Sequence, residues 1–396
     1  MTTTVPVATQ PAVRGHVDAL DGIRALAILM VLAFHFKTAG VPFRAGGFLG
    51  VDAFFVLSGF LITSLLLAER RRTRHNSMRG FYTRRALRLV PVAALLFAIG
   101  LGVFVVAPAS YNWRPQPMAF LALAGSWMNW LDIWRPAAGG VLAHAWSLSI
   151  EAQFYFVWPP LLVAARARGV RLRYLVAGLL VFVAVAVALR ISAWSGAPAP
   201  VPSSAPGYTR YLVGLGRGAS WARWYFGTFT HMDGLLLGAI TAIVLSSAVV
   251  RDGLARHRRA ATVGFGVAAV VAVAVVVKAS WTGIGGFVPV WGLLPFEVAV
   301  AGVVAFLVAV PRTAPGRVLG CAPLVWIGRR SYAMYMLHIP VWMLVIHFGL
   351  GRDAGSGDAT GMAWVAFALT FVAAELSFRF VETPALRLKD RLSATR

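Results

Sequence analysis

Two polar residues interrupt the first apolar stretch of the sequence, LDGIRALAILMVLAFHF, at Arg24 and His35. A spacing of eleven residues corresponds to three helical turns plus roughly 20°, so both side chains lie on one helix face, ~16 Å apart along the axis. Polar residues inside a membrane are costly, and they usually face the interior of a bundle or a water-filled cavity. The pair therefore predicts the beginning of a functional site.

Further ionisable residues lie inside later apolar stretches, each in a different stretch. They are Asp52, Glu151, Asp233, Glu297 and His338. Their positions along the helices predict that they share one slab of the membrane with His35. Because a buried charge is costly unless it is paired or hydrated, one water-accessible cavity that opens outward is the simplest arrangement. The alternative is a set of polar residues that are satisfied independently.

A third group of residues is basic and lies in ERRRTRHNSMRGFYTRRALRLVP (69–91), which we expect to contain a cytoplasmic loop at 69–88. Arg84, Arg85 and Arg88 stand just before an apolar stretch. Arg85 and Arg88 are three residues apart and share a helix face, a geometry that can clamp phosphate oxygens. The alternative interpretation is that these arginines only determine membrane topology.

The composition predicts the fold class that must position these residues. Of 396 residues, 59 % are hydrophobic and 13 % charged, and the mean hydropathy is +0.74. A soluble domain could not cover so much apolar surface, so we expect an all-α bundle of transmembrane helices in a lipid bilayer. The net charge of +23 does not indicate nucleic-acid binding, because the arginines lie in short segments between apolar stretches. A single Cys321, without a Cys/His cluster of zinc spacing, predicts no metal site.

About ten apolar segments have spanning length. They are 22–38, 48–68, 89–107, 141–163, 174–191, 225–248, 261–277, 288–310, 324–348 and 361–381. With both termini cytoplasmic, 25 Lys and Arg residues lie in the inner segments and nine in the outer loops. The Trp-rich segment 118–134 is expected to be interfacial or re-entrant, because an eleventh span would reverse the later part of this bias.

The expected domain organisation is simple. Residues 1–17 lack the features of a signal peptide and are expected to form a disordered cytoplasmic tail. Residues 18–386 form the transmembrane domain, and 387–396 a basic cytoplasmic tail. The Pro/Ser-rich segment 195–210 is expected to be an outer loop.

The sequence resembles the acyltransferase-3 family of bacterial membrane proteins over roughly 17–385. Seven motifs carry the resemblance and stand in the family's order. They are the Arg24/His35 pair, GFLGVDAFFVLSGFLI (47–62), FYTRRALRLVP (81–91), HAWSLSIEAQFYFVWP (144–159), HMDGLLLGA (231–239), SYAMYMLHIP (331–340) and VETPALR (381–387).

The resemblance implies an enzyme that moves an acyl group from a cytosolic thioester, commonly acyl-CoA, to a hydroxyl group, often on a sugar of an exported glycan. Acyl-CoA would be a co-substrate, and no permanently bound cofactor is expected. The family pattern implies that His35 is catalytic, with Arg24 as its required partner. It also implies that Arg85-Ala-Leu-Arg88 lies at the phosphate groups of the donor, where forked guanidinium contacts are suitable.

The chemistry of these residues agrees with those roles. A neutral His35 can take a proton from an attacking hydroxyl group, or it can carry the acyl group itself. Glu151 or Asp52 would hold its imidazole ring, as a carboxylate does in a triad, and the sequence leaves the choice open. A second set of motif residues is expected to line the site: Trp146, Ser147, Asp233, Tyr335 and His338. For Trp146, Ser147, Tyr335 and His338 the alternative is a role in packing. Ser58 and Gly59 are expected to allow two helices to approach closely.

We therefore predict a multi-pass O-acyltransferase of the plasma membrane that transfers a short acyl group, with acetyl as the main expectation. The acceptor would be a cell-envelope glycan or a glycosylated, macrolide-type metabolite. Many members of the family carry an appended extracytoplasmic domain, and the end of this sequence at Arg396 slightly favours the metabolite. The alternative is a proton-coupled secondary transporter, in which intramembrane His and carboxylate groups relay protons. Only the enzyme would release the thiol of coenzyme A.

Overall fold

The structure is a computed structural model, and it describes residues 17–36, 44–109, 113–136, 138–194, 219–282, 287–310, 312–349 and 356–387. Within these ranges all regular elements are helices. This result confirms the all-α fold class. The expected outer loop at 195–210, residues 1–16 of the predicted N-terminal tail and most of the predicted C-terminal tail lie outside the described residues.

The described ranges contain fifteen α-helices, numbered in chain order. They are α1 (Asp18–Phe36), α2 (Gly50–Thr73), α3 (Met78–Val106), α4 (Pro117–Ala124), α5 (Met128–Trp134), α6 (Trp146–Ala167), α7 (Leu172–Ala193), α8 (Ala219–Phe226), α9 (Asp233–Leu245), α10 (Ala248–Arg256), α11 (Arg258–Thr282), α12 (Leu293–Ala309), α13 (Ala314–Leu319), α14 (Ala322–Gly349) and α15 (Ser356–Ser377). Short 3-10 turns precede α2 and α6, and π-helical turns precede α12 and follow α15.

Eight helices within the described ranges are long and apolar enough to cross a membrane. A ninth span results if α9 and α10, which meet at a bend of 85°, are counted together. The predicted segment 324–348 lies within α14, and each of the other predicted segments overlaps a helix. The chain is therefore a multi-pass membrane protein.

The helices divide into a buried centre and a periphery. In the most apolar 18-residue stretch of α1, 72 % is buried inside the protein, whereas in the corresponding stretch of α11 only 6 % is buried. Polar residues on α1 and α2 consequently lie among other helices, while the apolar surfaces of α3, α7 and α11 are left for lipid.

Two glycines bring α2 and α9 into backbone contact. A side-chain carbon at Gly59 would collide with the backbone of Leu235, and one at Gly238 would collide with the backbone of Val56. Small residues at such crossings let transmembrane helices approach closely. The expectation for Gly59 is therefore confirmed, and the crossing fixes the position of the polar residues on both helices.

The basic stretch is not a loop, contrary to the expectation for 69–88. Helix α2 continues to Thr73 and α3 begins at Met78, where the Ser77 hydroxyl accepts a hydrogen bond from the Gly80 amide at 3.1 Å. A serine at this position satisfies a free backbone donor at the helix start. Except for Arg74, which lies between them, the arginines of this stretch project from α2 or α3, and the helices set their directions.

The Trp-rich segment forms two short helices, α4 and α5, of eight and seven residues. A transmembrane helix needs about 20 residues, so neither of them crosses a membrane alone. The segment therefore has the non-spanning form that was expected. Trp134 at its end is largely exposed, with 68 % of its surface accessible.

Candidate active site

A polar cavity of about 60 Å³ lies between α1, α2, α3, α6 and α14. Apolar residues of α2 and α3 form part of its wall. Its polar lining residues are Arg24, Ser58, Arg85, Arg88, Ser147, Glu151, Ser331, Tyr332 and Tyr335. Six of the residues proposed from the sequence therefore line one cavity.

Arg24 is held in this cavity by α14. Its Nε–H donates to the Gly328 carbonyl oxygen and to the Ser331 hydroxyl, each at 3.3 Å. A side-chain carbon at Gly328 would collide with the backbone of Asp21, so α1 and α14 are also in backbone contact. This close crossing brings the guanidinium group of Arg24, which belongs to α1, into contact with α14.

Glu151 belongs to a network around Arg85. The Arg85 guanidinium lies 3.0 Å from the Glu151 carboxylate and its carbon is 4.2 Å from the centre of the Tyr155 ring. The hydroxyl groups of Ser58 and Tyr155 also donate to the same carboxylate oxygen. These contacts hold Arg85 at the cavity, and within the described part of the chain none of them joins Glu151 to His35.

The charges around this cavity do not balance. Arg24, Arg85 and Arg88 contribute three guanidinium groups, and Glu151 contributes the only carboxylate among the described lining residues. The described residues give Arg88 no ion pair. Excess positive charge inside a membrane protein is costly unless water or an anion compensates it. Glu382 and Asp21 act on these arginines from outside the lining and offset part of the charge. The lining residues themselves keep an excess of positive charge that an anion can compensate.

Arg84 has a different environment from its two neighbours. It lies 3.7 Å from Glu69, and 41 % of its side chain is exposed. It is not among the described residues that line the cavity. The structure thus separates Arg84 from Arg85 and Arg88, because a helix turns by about 100° per residue.

Ser147 and Tyr335 connect the cavity to a group of histidines. The two hydroxyl groups are 2.6 Å apart, and Tyr335 donates to the carbonyl oxygen of His144 at 2.8 Å. Since Tyr335 has one hydroxyl proton, which it donates to the His144 carbonyl oxygen, the Ser147 hydroxyl donates to the Tyr335 oxygen. The Tyr335 ring centre is 5.5 Å from that of His338.

His35, His144 and His338 form this histidine cluster. The ring centres of His35 and His338 are 4.7 Å apart, and those of His144 and His338 are 5.1 Å apart. The Nδ1 of His35 lies 2.9 Å from the Val31 carbonyl oxygen. His144 was not proposed from the sequence, although it is the first residue of the motif HAWSLSIE.

Asp52 and Asp233 lie in a different place, in a buried cluster of charges between α2, α7, α9 and α12. Asp52 accepts from His231 at 2.6 Å, and Asp233 accepts from Arg190 at 2.6 Å. Glu297 lies beside Asp233. All five side chains are at most 1 % exposed.

This buried cluster corrects the prediction of one shared cavity. Asp52, Asp233 and Glu297 do not line the cavity, and Asp52 is paired with His231 rather than placed against His35. Trp146 packs on His231, with 5.5 Å between ring centres, and is also not a lining residue. The depth of each residue along its helix predicts one shared site. The lateral packing of the helices instead separates the ionisable residues into two groups.

The imidazole of His35 therefore has a backbone partner in place of the expected carboxylate. Its Nδ1 is the atom that faces Val31, which is one turn earlier on the same helix. Among the described residues Glu151 pairs with Arg85 and Asp52 with His231, and no hydrogen bond joins either carboxylate to His35. The orientation of the ring is set by α1 itself.

The comparison with protein families agrees with this arrangement. The profile of the acyltransferase-3 family, described as an acyltransferase domain, matches residues 17–378. The chain belongs to this family. The match includes Arg24, His35, all the residues of the cavity and six of the seven motifs, so the resemblance to the family is confirmed; the motif VETPALR (381–387) lies beyond the matched range.

Curated relatives of the chain are O-acetyltransferases by name. O-acetyltransferase OatA of Staphylococcus aureus is 28% identical over 382 residues, which are 93% of this chain and 57% of that protein. Peptidoglycan O-acetyltransferase OatA of Listeria monocytogenes is 30% identical over 384 residues, 94% of this chain and 56% of that protein. The chain thus spans little more than half the length of these relatives. No solved structure matches it.

Proposed function

We propose that this chain is an integral-membrane O-acyltransferase that moves a short acyl group from acyl-CoA to a hydroxyl group of a cell-envelope glycan. The observation that carries the proposal is the cavity of Arg24, Arg85 and Arg88, whose excess positive charge adjoins the histidine cluster. This chemistry requires a group that binds the anionic donor and a reactive imidazole. The arginines line the cavity, and the histidine cluster lies beyond Tyr335, outside the cavity lining.

The arginines suit the donor. Coenzyme A carries a pyrophosphate and a 3′-phosphate, and guanidinium groups bind such oxygens through paired, charge-assisted hydrogen bonds. Arg24 and His35 are ~16 Å apart along α1, a distance that the extended pantetheine arm can bridge. A cavity of about 60 Å³ is much smaller than coenzyme A, so the nucleotide would remain at the arginine end. Only the arm and the acyl group would pass Tyr335.

His35 supplies the reacting group. Its Nδ1 faces a carbonyl oxygen, which fixes the proton on Nδ1 and the lone pair on Nε2. With that lone pair the ring can act on an acceptor hydroxyl as a base or attack the thioester carbon directly. Both routes form an ester and release the coenzyme A thiol.

The acceptor is proposed from the relatives and from topology. The relative of Listeria monocytogenes is named as a peptidoglycan O-acetyltransferase, which favours a cell-envelope glycan over a small glycosylated metabolite and acetyl as the acyl group. The bias of 25 inner to nine outer basic residues supports cytoplasmic termini and a location in the plasma membrane. The arginine end would then open to cytosolic acyl-CoA, and His35 would lie in the outer half.

The test is release of coenzyme A thiol from acetyl-CoA by the purified chain, with peptidoglycan fragments as acceptor and a glycosylated macrolide for comparison. We expect release and ester formation with the glycan, and loss of both by about 10²-fold or more in His35→Ala. Circular dichroism and thermal unfolding would verify that the variant is folded. Retained transfer in folded His35→Ala would contradict the role of His35. Absence of thiol release by the wild-type chain with every acceptor would contradict the enzyme and favour transport.

A further inference from the structure

The three histidines of the cluster differ in the hydrogen bonds of their ring nitrogens. The Nδ1 of His35 faces the Val31 carbonyl oxygen at 2.9 Å, and the Nδ1 of His338 faces the Tyr335 carbonyl oxygen at 2.5 Å. A carbonyl oxygen only accepts, so in both neutral rings the proton is on Nδ1 and the lone pair is on Nε2. The helices α1 and α14 thus select the same tautomer for both residues.

His144 is not equivalent to the other two. Its Nδ1 lies 3.1 Å from the Val141 carbonyl oxygen, and its Nε2 lies 3.1 Å from the Met336 carbonyl oxygen. Both nitrogens are directed at acceptors of the backbone, so neither is directed at a substrate. His144 therefore positions α14 against the turn before α6.

The Nε2 of His338, unlike that of His144, faces no backbone acceptor within the described part of the chain. The side chain is 0% exposed, and yet this atom has no hydrogen-bond partner among the described residues. Buried polar atoms are nearly always satisfied, and an exception indicates a ligand, a water molecule or a catalytic role. The described residues contain no metal-binding group of His, Cys, Asp and Glu, so the cluster does not have the geometry of a zinc site.

His35 and His338 each have a lone pair on Nε2, and a transfer in a single step requires only one of them. In one step, His35 alone could take the hydroxyl proton and return it to the leaving sulfur. If the acyl group is carried on the Nε2 of His35, however, that atom is no longer a base, and the acceptor needs a second one. The Nε2 of His338 is available for this purpose, since its ring centre lies 4.7 Å from that of His35.

We propose that His338 is the base for the acceptor hydroxyl and that His35 carries the acyl group. The inference rests on the proposed function. First, the Nε2 of His35 attacks the thioester carbon, the C–S bond breaks, and the coenzyme A thiolate leaves and takes a proton from water. The acceptor oxygen then attacks the acyl carbon, its proton moves to the Nε2 of His338, and the bond from carbon to His35 breaks. His338 releases the proton to water, so the net products are the ester and the free thiol.

The experiment separates the two steps in the full-length protein with radiolabelled acetyl-CoA. His338→Asn keeps an amide donor near the position of Nδ1, for the Tyr335 carbonyl, and removes Nε2. Without acceptor, we expect wild type and His338→Asn to release about one equivalent of thiol and to retain the label on the protein. With peptidoglycan fragments, the variant should transfer the label at least ~100-fold more slowly than wild type. A role in packing alone would not produce this split between the steps.

Controls keep the outcome interpretable. His338→Gln is a second variant in case His338→Asn does not fold, and His35→Ala should lose both the label and the thiol. The proposal is overturned if folded His338→Asn or His338→Gln transfers at the wild-type rate, if both lose the first step while still folded, or if wild type turns over without ever becoming labelled. No thiol release by wild type with any acceptor would instead remove the proposed function itself.

Discussion

The cavity and the buried cluster are two charged regions of one helix bundle with opposite electrostatics. Around the cavity, three guanidinium groups face one carboxylate, and the residues are only partly buried. In the buried cluster, Arg190 and His231 contact Asp233 and Asp52 at 2.6 Å, and water has almost no access. In the buried cluster each cation is paired with a carboxylate, and Glu297 adds a carboxylate to which the described residues give no ion pair. Around the cavity the excess charge is positive, and an anion can compensate it. We therefore propose a structural role for the buried cluster and substrate binding for the cavity.

The buried cluster connects helices that are distant in sequence. Arg190 of α7 also donates to the carbonyl oxygens of Thr230 and Pro289, at 3.0 Å each. A single side chain thereby joins α7 to the segments before α9 and α12. Removing one partner of such a buried pair leaves an uncompensated charge, which is more damaging than removing both.

The largest effect on stability is expected for Arg190→Met. It leaves Asp233 buried without its cation, so the free energy of unfolding should fall by about 3–5 kcal/mol. Thermal unfolding of the purified protein in detergent would measure this loss. The double variant Arg190→Met/Asp233→Leu should recover most of it, and an equally unstable double variant would contradict the assignment of a paired, structural role.

A smaller effect, on substrate rather than on stability, is expected for Arg88→Gln. A hydrogen bond to a charged group contributes about 1.5–3 kcal/mol, so the KM for acetyl-CoA should rise roughly 10- to 100-fold. Stability should change less than for Arg190→Met, because the described residues give Arg88 no direct ion pair and Glu382 acts on it only at longer range. Arg79→Gln is the matched control, since Arg79 is exposed on the same helix. Equal effects of the two variants would mean that the cavity does not hold the donor.

Tyr335→Phe tests the connection between the cavity and the histidines. The change removes the hydrogen bonds to Ser147 and to the His144 carbonyl oxygen but keeps the ring. We expect a loss of about 0.5–1.5 kcal/mol in unfolding free energy and a several-fold lower kcat with an unchanged KM for acetyl-CoA. A changed KM with an unchanged kcat would place Tyr335 with the arginines instead.

The smallest effect is expected for Glu297→Gln. Both Glu297 oxygens and the Oδ1 of Asp233 are buried without a hydrogen-bond partner among the described residues. An amide of the same shape can donate to Asp233, so the unfolding free energy should change by less than about 1 kcal/mol. Glu297→Ala, which leaves a void, should cost about 2 kcal/mol or more. A strongly destabilised Glu297→Gln would show that the cluster needs this third negative charge.

Much of this arrangement was predictable because it depends on single helices. The apolar segments and the shared helix face of Arg85 and Arg88 follow from composition and periodicity. The division of the ionisable groups was not predictable in the same way. Asp52 and Glu151 look alike as carboxylates inside apolar stretches, yet one contacts His231 and the other Arg85.

The sequence by itself determined the membrane class, the helices and the common face of Arg24 and His35, because hydropathy and a rise of 1.5 Å per residue act along one element. Only the tertiary structure decided the lateral neighbours: Glu151 with Arg85, Asp52 with His231, and His144 and His338 with His35. Those neighbours depend on which helices cross, and the crossings depend on close backbone contacts at Gly59, Gly238 and Gly328. Such contacts form between residues far apart in the chain, where no local pattern records them.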